Sequence, residues 1–237
     1  MAQKNRWRLA QEYELQWWGS YKQNIEWYRN FSRTVEAATA PYLFLGSGTS
    51  ILEIGSGAAG ALTFLDSGNK YAVDPLEDYF AGQKRFAEFR DPRVRYLKAR
   101  GEELPFRGEY FDLVIIDNVL DHCEFPGKVL DEVGRMLKPG GVIFFRQNVY
   151  LAWGRLVRRV MELFAVDRGH PFTFSRTELE KFFRRRRWAV KDIRKQSFRS
   201  SWLGDLKEGT LKGYLKAVLV VTRLRTIYVL ARERESG

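Results

Sequence analysis

The sequence predicts an α/β fold in which a mostly parallel sheet carries helices on both faces. Short apolar runs that suit buried strands, such as residues 51–54 and 142–145, recur along the chain. Amphipathic stretches such as 126–137 separate them, and this alternation is typical of parallel sheets. A glycine-rich turn also follows the first apolar run directly. We expect seven strands with the final two antiparallel, an aromatic helical segment before them, and helical insertions near the C-terminus.

The glycine-rich turn and its strand, residues 51–60, read ILEIGSGAAG. Such glycines suit a backbone that turns sharply against a ligand, because a Cβ would not fit there. We expect a larger side chain at Gly57 to fill space that the ligand needs. Asp74 ends the next apolar run, where an acid accepts hydrogen bonds from a ribose diol. These features predict a Rossmann-like nucleoside site, and its first binding residues are Gly55, Ser56, Gly57, Gly60 and Asp74.

Glu53, two residues before the first glycine, indicates which kind of nucleoside ligand the site suits. A carboxylate there would repel a pyrophosphate, but it suits a ligand that carries an ammonium and a sulfonium group. Further along, 111–117 reads FDLVIID, 118–122 reads NVLDH and 137–141 reads LKPGG. Over residues 48–150 the chain resembles the class I S-adenosylmethionine-dependent methyltransferases, in the small-molecule, methyltransferase type 11-like branch. The resemblance implies S-adenosyl-L-methionine as the cofactor.

One segment departs from the family pattern. Residues 99–106 of this chain read ARGEELPF. The similar methyltransferases carry a motif like GDAExLPF at this place, and their aspartate accepts a hydrogen bond from the adenine amino group. Arg100 occupies that position, and an arginine cannot accept a hydrogen bond. Either Glu102 substitutes for the aspartate, or backbone groups around Arg100 and Gly101 bind the adenine. The other cofactor residues that the resemblance implies are Pro75, Asp117 and Asn118.

The remaining elements follow from apolar periodicity and from capping signals. Residues 6–38 predict an aromatic-rich helix that packs on the core, covers the site as a lid, or does both. Ser175 and Glu178 form a capping box at the start of a later helix. The predicted strands are 51–54, 71–73, 95–99, 110–117, 142–145, 188–193 and 226–230, and the other helices are 61–66, 76–89, 126–137, 151–164, 175–187 and 211–219.

The chain has two histidines, His122 and His170, and both fall near the predicted cofactor edge. Each is either structural, or a base or substrate ligand in methyl transfer. We expect His170 to face the transferred methyl group alongside His122. Asp121 and Glu124 could orient His122, but solvated acids at a helix entry are the simpler interpretation. With one cysteine and no suitably spaced histidine, we expect no metal site.

Charge divides the chain into two halves. Residues 1–150 hold 19 Lys and Arg against 20 Asp and Glu, whereas 151–237 hold 21 against 9. The basic excess should therefore concern a substrate, a partner surface or solubility. The arginine run 184–187 is either a solvated helix end or an anion site. Nucleic acid is not expected, because no RNA-binding module is visible and 117–120 lacks the motif of base methyltransferases.

We expect a single methyltransferase domain over 1–237, with a helical segment at 1–47, a cofactor-binding core at 48–150 and a basic substrate-side half at 151–237. The predicted reaction is methyl transfer, at oxygen, to a small-molecule or lipid-linked acceptor. An anionic acceptor and peripheral membrane contact stay open, as does the oligomeric state. The alternatives are an NAD(P)-dependent oxidoreductase and a non-catalytic methyltransferase-fold adapter. The lack of an apolar leader and of paired cysteines indicates a cytoplasmic protein.

Overall fold

The structure, a computed structural model, describes residues 3–163 and 170–233. In chain order its elements are α1 (Gln3–Ser20), α2 (Ile25–Thr39), β1 (Ser50–Ile54), β2 (Asn69–Asp74), α3 (Glu77–Ala81), α4 (Lys84–Ala87), β3 (Val94–Lys98), β4 (Phe111–Asp117), α5 (Pro126–Met136), β5 (Leu137–Val149), α6 (Ala152–Leu163), α7 (Arg176–Arg185), β6 (Trp188–Lys195), α8 (Phe198–Lys207), α9 (Leu211–Val218) and β7 (Leu224–Arg232), with 3₁₀ turns at Ala61–Phe64 and Leu120–His122. Phe164, the predicted end of the helix at 151–164, lies outside the described residues.

The strands form a seven-stranded sheet in the order β3-β2-β1-β4-β5-β7-β6. All neighbours pair in parallel except β7, which runs antiparallel to both β5 and β6. The predicted mostly parallel α/β sheet is therefore confirmed. The strand order reverses at β1, which lies between β2 and β4, and ligands in open α/β sheets bind at the carboxyl ends of strands beside such a reversal.

Helices cover both faces of the central strand. β1 is buried at all of its positions, as expected for a parallel strand between two helical layers. On one face Ile51 belongs to an apolar cluster with Phe31 and Val35 of α2. On the other face Leu52 clusters with Val129 of α5. Because both faces are packed, β1 and the turn that follows it have little freedom to move.

Several predicted helices are shorter than the pattern indicated. The predicted helix 6–38 is interrupted at Asn24, whose extended backbone and side-chain oxygen cap α2 by accepting from Glu26 N at 2.9 Å. The predicted helix 61–66 is a single 3₁₀ turn, and 76–89 divides into α3 and α4. α8 was not predicted. Local capping and tertiary contacts override apolar periodicity in these segments.

A buried lysine anchors the 3₁₀ turn that follows the glycines. Lys70 Nζ, at the start of β2, donates to Leu62 O at 3.0 Å, Leu65 O at 3.2 Å and Asp91 Oδ2 at 2.7 Å. The ammonium therefore uses all three of its donors, although the side chain is only 1% exposed. Burial alone would raise the pKa of Asp91, but hydrogen bonds from Arg93 and Lys70 hold it below its ordinary value. The charges are thus compensated inside the fold.

Replacing Lys70 should destabilise the protein more than replacing an exposed lysine. Lys70→Met leaves two buried carbonyls without their donor and removes one of the cations on Asp91. We expect a loss of about 3 kcal/mol in the free energy of unfolding, because Arg93 still pairs with the carboxylate. Urea unfolding followed by circular dichroism measures it. The exposed control, Lys84→Met, should stay within about 0.5 kcal/mol of the original chain. Equal midpoints for both variants would contradict this account of Lys70.

Candidate functional site

The glycine-rich turn adopts backbone conformations that other residues rarely take. The φ angles are +58° at Gly57 and +74° at Gly60. A Cβ at Gly60 would overlap the Glu53 carboxylate, and one at Gly57 would lie 2.6 Å from Trp18 Cζ2. The indole of Trp18 in α1 is therefore a neighbour of this glycine that the sequence did not indicate, and the effect of a larger side chain at Gly57 on ligand binding stays a prediction.

Glu53 lies beneath the glycine turn and binds its backbone. Its Oε1 accepts a hydrogen bond from Ala61 N at 3.1 Å, and its Oε2 accepts one from Leu62 N at 3.2 Å. Burial raises the pKa of this carboxyl group to about 8, although the two backbone donors act in the opposite direction. Glu53 lines the cavity as predicted, and it has a second role that the sequence did not reveal, which is to shape the turn.

Asp74 joins the end of β2 to the same turn. Its Oδ2 accepts from Gly57 N at 2.9 Å and its Oδ1 accepts from Leu76 N at 2.9 Å. Burial raises the pKa of Asp74 to about 6 against the effect of these donors. A carboxylate offers about four acceptor positions, so two remain for a diol. Asp74 and its neighbour Pro75 both line the cavity.

Arg100 and Glu102, in the segment that differs from the family pattern, both form hydrogen bonds to Glu124. Arg100 Nη2 donates to Glu124 Oε2 at 2.8 Å, and its guanidinium lies 4.1 Å from the ring centroid of Trp7. Glu102 Oε1 accepts from the backbone N of Glu124 at 2.8 Å. The same Oε1 accepts from Phe125 N at 3.1 Å, so these backbone bonds fall on one oxygen of Glu102 and both predicted ways of binding adenine stay open. Glu124 is 8% exposed, so its interpretation as a solvated acid is wrong.

Asp117 and Asn118, at the end of β4, are held by β5. Asp117 forms a bidentate ion pair with Arg146, whose Nε donates to Asp117 Oδ1 at 2.5 Å. Asn118 has a φ of +55°, and its Oδ1 accepts from Gln147 Nε2 and from Asn148 N, both at 3.1 Å. Both predicted residues line the cavity, and neighbouring side chains fix their orientation.

The two histidines meet at this edge of the sheet. The ring centroids of His122 and His170 lie 4.5 Å apart at an interplanar angle of 65°. His170 Nδ1 lies 3.3 Å from Asp121 Oδ2, and His122 Nδ1 lies 3.4 Å from Glu14 Oε1. Asp121 is 7% exposed and its Oδ1 accepts from Gln147 Nε2 at 2.8 Å. The interpretation of Asp121 as a solvated acid is therefore wrong.

The same residues include the types of group that bind transition metals. One ligand atom from each of Asp121, His122 and His170 lies within 4.8 Å of the others. His122 and His170 are far apart in the sequence, so rules of ligand spacing could not find this group. The absence of a metal site stays a prediction. Burial raises the pKa of the Cys123 thiol well above its usual value, which disfavours the thiolate form that a nucleophilic cysteine requires.

All of the predicted site residues line one cavity of about 570 Å³. α1 forms a wall of this cavity through residues that sequence reasoning missed, among them Glu14 and Trp18. Arg6 Nη2 donates to Pro171 O at 2.8 Å, and Arg85 Nη2 donates to Trp18 O at 2.6 Å, so α1 is tied at both ends. The density of aromatic residues in α1 was the signal, but it did not identify which of them reach the cavity.

The arginine run 184–187 lies away from this cavity. It precedes β6, which is parallel to β5, so it lies at the amino edge of the sheet. Arg186 Nη2 donates to Asp131 Oδ1 at 2.6 Å and to Gly127 O at 2.8 Å. This arginine joins α7 to α5. The other three arginines of the run are exposed, so the run lies at a solvated helix end away from the cavity, and its role as an anion site stays a prediction.

Residues 52–145 match a family model described as a methyltransferase domain. Over 108 residues the chain is 32% identical to an uncharacterized methyltransferase of Mycobacteroides abscessus, across 44% of this chain and 41% of that protein. It is 35% identical over 122 residues to the thiol S-methyltransferase TMT1B of Rattus norvegicus, across 48% of this chain and 49% of that protein. The chain therefore spans less than half the length of these relatives.

A solved structure supports the fold over a longer range. The YcgJ protein from Bacillus subtilis superposes with a TM-score of 0.63, covering 86% of this chain and 99% of that one. The sequence identity is 19%, so the likeness concerns the fold alone. It agrees with the Rossmann-like α/β sheet described above.

Neutralising Glu53 should change how stability depends on pH. Its pKa is about 8 in the folded chain against an ordinary 4.5, so its contribution to stability is present below about pH 4.5 and lost as the pH rises through about 8. Glu53→Gln cannot ionise. Its free energy of unfolding relative to the original chain should therefore rise by on the order of 1 kcal/mol or more between about pH 6 and pH 9.

Urea unfolding at the two pH values measures the effect of Glu53→Gln. The exposed Glu36 of α2 supplies the matched control, and Glu36→Gln should show no such rise. If the free energy of unfolding changes with pH in the same way in Glu53→Gln and in the original chain, Glu53 does not ionise with the raised pKa.

Proposed function

Since the chain carries a class I S-adenosylmethionine-dependent methyltransferase domain, we propose that it transfers a methyl group from S-adenosylmethionine to a hydroxyl group of a small-molecule or lipid-linked acceptor. The observation that carries the proposal is the pair of imidazoles, His122 and His170, beside Glu14 and Asp121 on the cavity. An adapter without activity has no need of such a partly buried cluster. A methyltransferase family match also does not support the oxidoreductase alternative.

The cavity fits the cofactor that the family implies. The backbone of the glycine turn would hold its amino-acid part, and the two remaining acceptor positions of Asp74 would bind the ribose diol. Backbone groups near Gly101 would bind the adenine, with Glu102 Oε2 as the alternative acceptor for its amino group, because the backbone bonds of Glu102 fall on Oε1. When bound, S-adenosylmethionine supplies an electrophilic methyl carbon on a positively charged sulfur. Glu53 would add an acidic group beneath a ligand that carries positive charge.

The imidazole pair supplies a proton acceptor for the acceptor's hydroxyl group. His170 Nδ1 faces Asp121, so Nε2 is the atom that takes the proton, as in other His–Asp arrangements. Gln147 Nε2 donates to Asp121 Oδ1, and the carboxylate held in this way lies beside His170 Nδ1. Removing the proton makes the hydroxyl oxygen a nucleophile, and a positioned base of this kind contributes roughly 10²–10⁴-fold to a rate.

A thiol acceptor is the second candidate, because one relative is named a thiol S-methyltransferase. A free thiol is already a few per cent thiolate near pH 7 and is intrinsically nucleophilic. It therefore depends less on a base than an alcohol or a phenol does. A base held by a buried carboxylate favours the hydroxyl acceptor. Comparing the effect of losing the base on matched hydroxyl and thiol acceptors separates the two candidates.

Removing His170 should slow methyl transfer to a hydroxyl acceptor without weakening cofactor binding. We expect His170→Ala to lower turnover by roughly 10²–10⁴-fold on phenols and alcohols, and by less than about tenfold on the matching thiols. Release of S-adenosylhomocysteine measures turnover, and calorimetry measures cofactor affinity. His122→Ala and the double variant are made in parallel. Near-normal turnover of hydroxyl acceptors in all three variants would contradict a protein base.

Removing the charge of Asp74 should weaken cofactor binding. It should also abolish the fall in cofactor affinity that we expect for the original chain at acid pH. A carboxylate accepts both ribose hydrogen bonds, and such bonds contribute about 1.5–3 kcal/mol. We expect Asp74→Asn to bind S-adenosylhomocysteine at least about tenfold more weakly. Because the pKa of Asp74 is about 6, the affinity of the original chain should fall as the pH drops through about 6. The asparagine variant should lack this fall.

Calorimetric titration with S-adenosylhomocysteine, and separately with NAD, tests the cofactor site. Asp78→Asn, an exposed acid on α3, is the matched control and should bind like the original chain. An unchanged affinity in Asp74→Asn would remove the ribose role of Asp74. Tighter binding of NAD would favour the oxidoreductase alternative, and binding of neither ligand would favour the adapter.

A further inference from the structure

α6 turns its apolar face to solvent and its polar face to the protein. Trp153, Leu156 and Val160, spaced three and four residues apart along one stripe, are 57%, 55% and 48% exposed. On the inward side, Arg155 pairs with Glu178, and Arg158 Nε donates to Thr173 Oγ1 at 3.1 Å. The buried Gly154 also faces inward, against Val220 O. A helix that packs on a hydrophobic core has the reverse orientation.

α9 presents a second outward apolar stripe. Leu211, Tyr214, Leu215 and Val218 are 76%, 50%, 52% and 76% exposed, at the spacing of one helix face. Its inward side carries small residues, of which Ala217 accepts a hydrogen bond from Trp202 Nε1 of α8 at 3.0 Å. The large apolar residues of α9 thus do not pack in the hydrophobic core. The small residues make the contact with α8, and the large ones remain in solvent.

The two stripes lie on helices that meet at one end, and together we call them the α6–α9 face (Trp153, Leu156 and Val160 with Leu211, Tyr214, Leu215 and Val218). Trp153 Nε1 donates to Leu219 O at 3.0 Å, which joins the start of α6 to the end of α9. The connection continues through Val220, a β-branched residue with a φ of +55°. A positive φ is unfavourable for a β-branched residue. Val220 keeps this conformation in a turn that packs against Gly154 of α6.

The α6–α9 face lies at the same edge of the sheet as the cavity. α6 follows the carboxyl end of β5, and α9 precedes β7, which is antiparallel to β5 and so begins at that edge. Arg223, directly before β7, lines the cavity. Tyr150 N, between β5 and α6, donates to Phe174 O at 3.0 Å in the loop after His170. A molecule held on this face would therefore lie beside the candidate active site.

Charge decides which occupant the face suits. The chain carries a net charge of +11, and residues 151–237 hold 21 basic against 9 acidic residues. Arg159 is exposed beside the apolar stripe of α6. Two copies of this chain, each with a net charge of +11, would repel each other, whereas an anionic lipid surface would attract the chain as a whole and Arg159 at the face. Apolar residues with a tryptophan, flanked by arginine, are also the pattern of helices that lie in a membrane interface.

The geometry points to a membrane-docking role: the α6–α9 face binds the surface of a bilayer that contains anionic phospholipid. In the described part of the chain, no helix is long and apolar enough to cross a membrane. The proposed contact is interfacial, with the apolar stripes at the level of the headgroups and Arg159 among the phosphates. Docking in this orientation turns the cavity edge toward the bilayer, from which a lipid-borne acceptor could enter.

Co-sedimentation of the full chain with vesicles tests this docking. We expect binding to vesicles of about three parts phosphatidylcholine to one part phosphatidylserine, and weaker binding to pure phosphatidylcholine or at high salt. Leu156→Ser/Leu211→Ser/Val218→Ser should lower the partition coefficient by roughly tenfold or more. Arg159→Glu should weaken binding to the anionic vesicles only. Vesicle binding needs no turnover, so this result is independent of the proposed reaction.

Phe44→Ser is the matched apolar control. Phe44 is 89% exposed in the loop that enters β1, at the opposite edge of the sheet, and its replacement should leave vesicle binding unchanged. Equal binding by the triple variant and the original chain would overturn the proposal, as would equal binding to neutral and anionic vesicles. A dimer in analytical ultracentrifugation that the triple variant abolishes, without vesicle binding, would assign the face to a second copy.

Discussion

The glycine-rich turn after β1 depends on a buried carboxylate beneath Gly60. Glu53 in β1 accepts hydrogen bonds from Ala61 N and Leu62 N, and Gly60 leaves the room that this carboxylate occupies. Lys70 binds the carbonyl of the same Leu62 from the other strand. Glu53 and Lys70 therefore hold a 3₁₀ turn of only four residues in place. In a regular βαβ unit a longer helix would stand at this position.

The candidate active site exists because parallel strands end at one edge. The turn after β1, Asp74 after β2 and Asp117 after β4 are brought together by strand pairing alone. The remaining wall comes from α1, whose Trp18 packs against Gly57 and whose Glu14 faces His122. Polar contacts attach α1 at one end to the loop that contains Pro171 and at the other to Arg85 of α4. The cavity is thus partly a product of the sheet and partly of a helix that is docked on it.

The basic half of the chain separates into two structural roles. At the amino edge of the sheet, Arg186 joins two helices through Asp131. At the carboxyl edge, Arg155 and Arg158 face inward and leave the apolar stripe of α6 outside. The charge count could not distinguish these positions, because it does not record which edge of the sheet a residue reaches. The strand directions of β5, β6 and β7 decide it.

The sequence by itself determined the α/β class, the approximate strands and the glycines and acids at the strand ends that line the cavity, because each of these belongs to a short motif with a local physical reason. It also indicated the capping box, in which Ser175 and Glu178 bond each other's backbone. Only the tertiary structure decided that Asp121 is buried against His170, that Trp18 packs against Gly57, and that α6 faces outward. Those contacts join residues distant in the chain, and their burial depends on how whole elements pack, which no local pattern encodes.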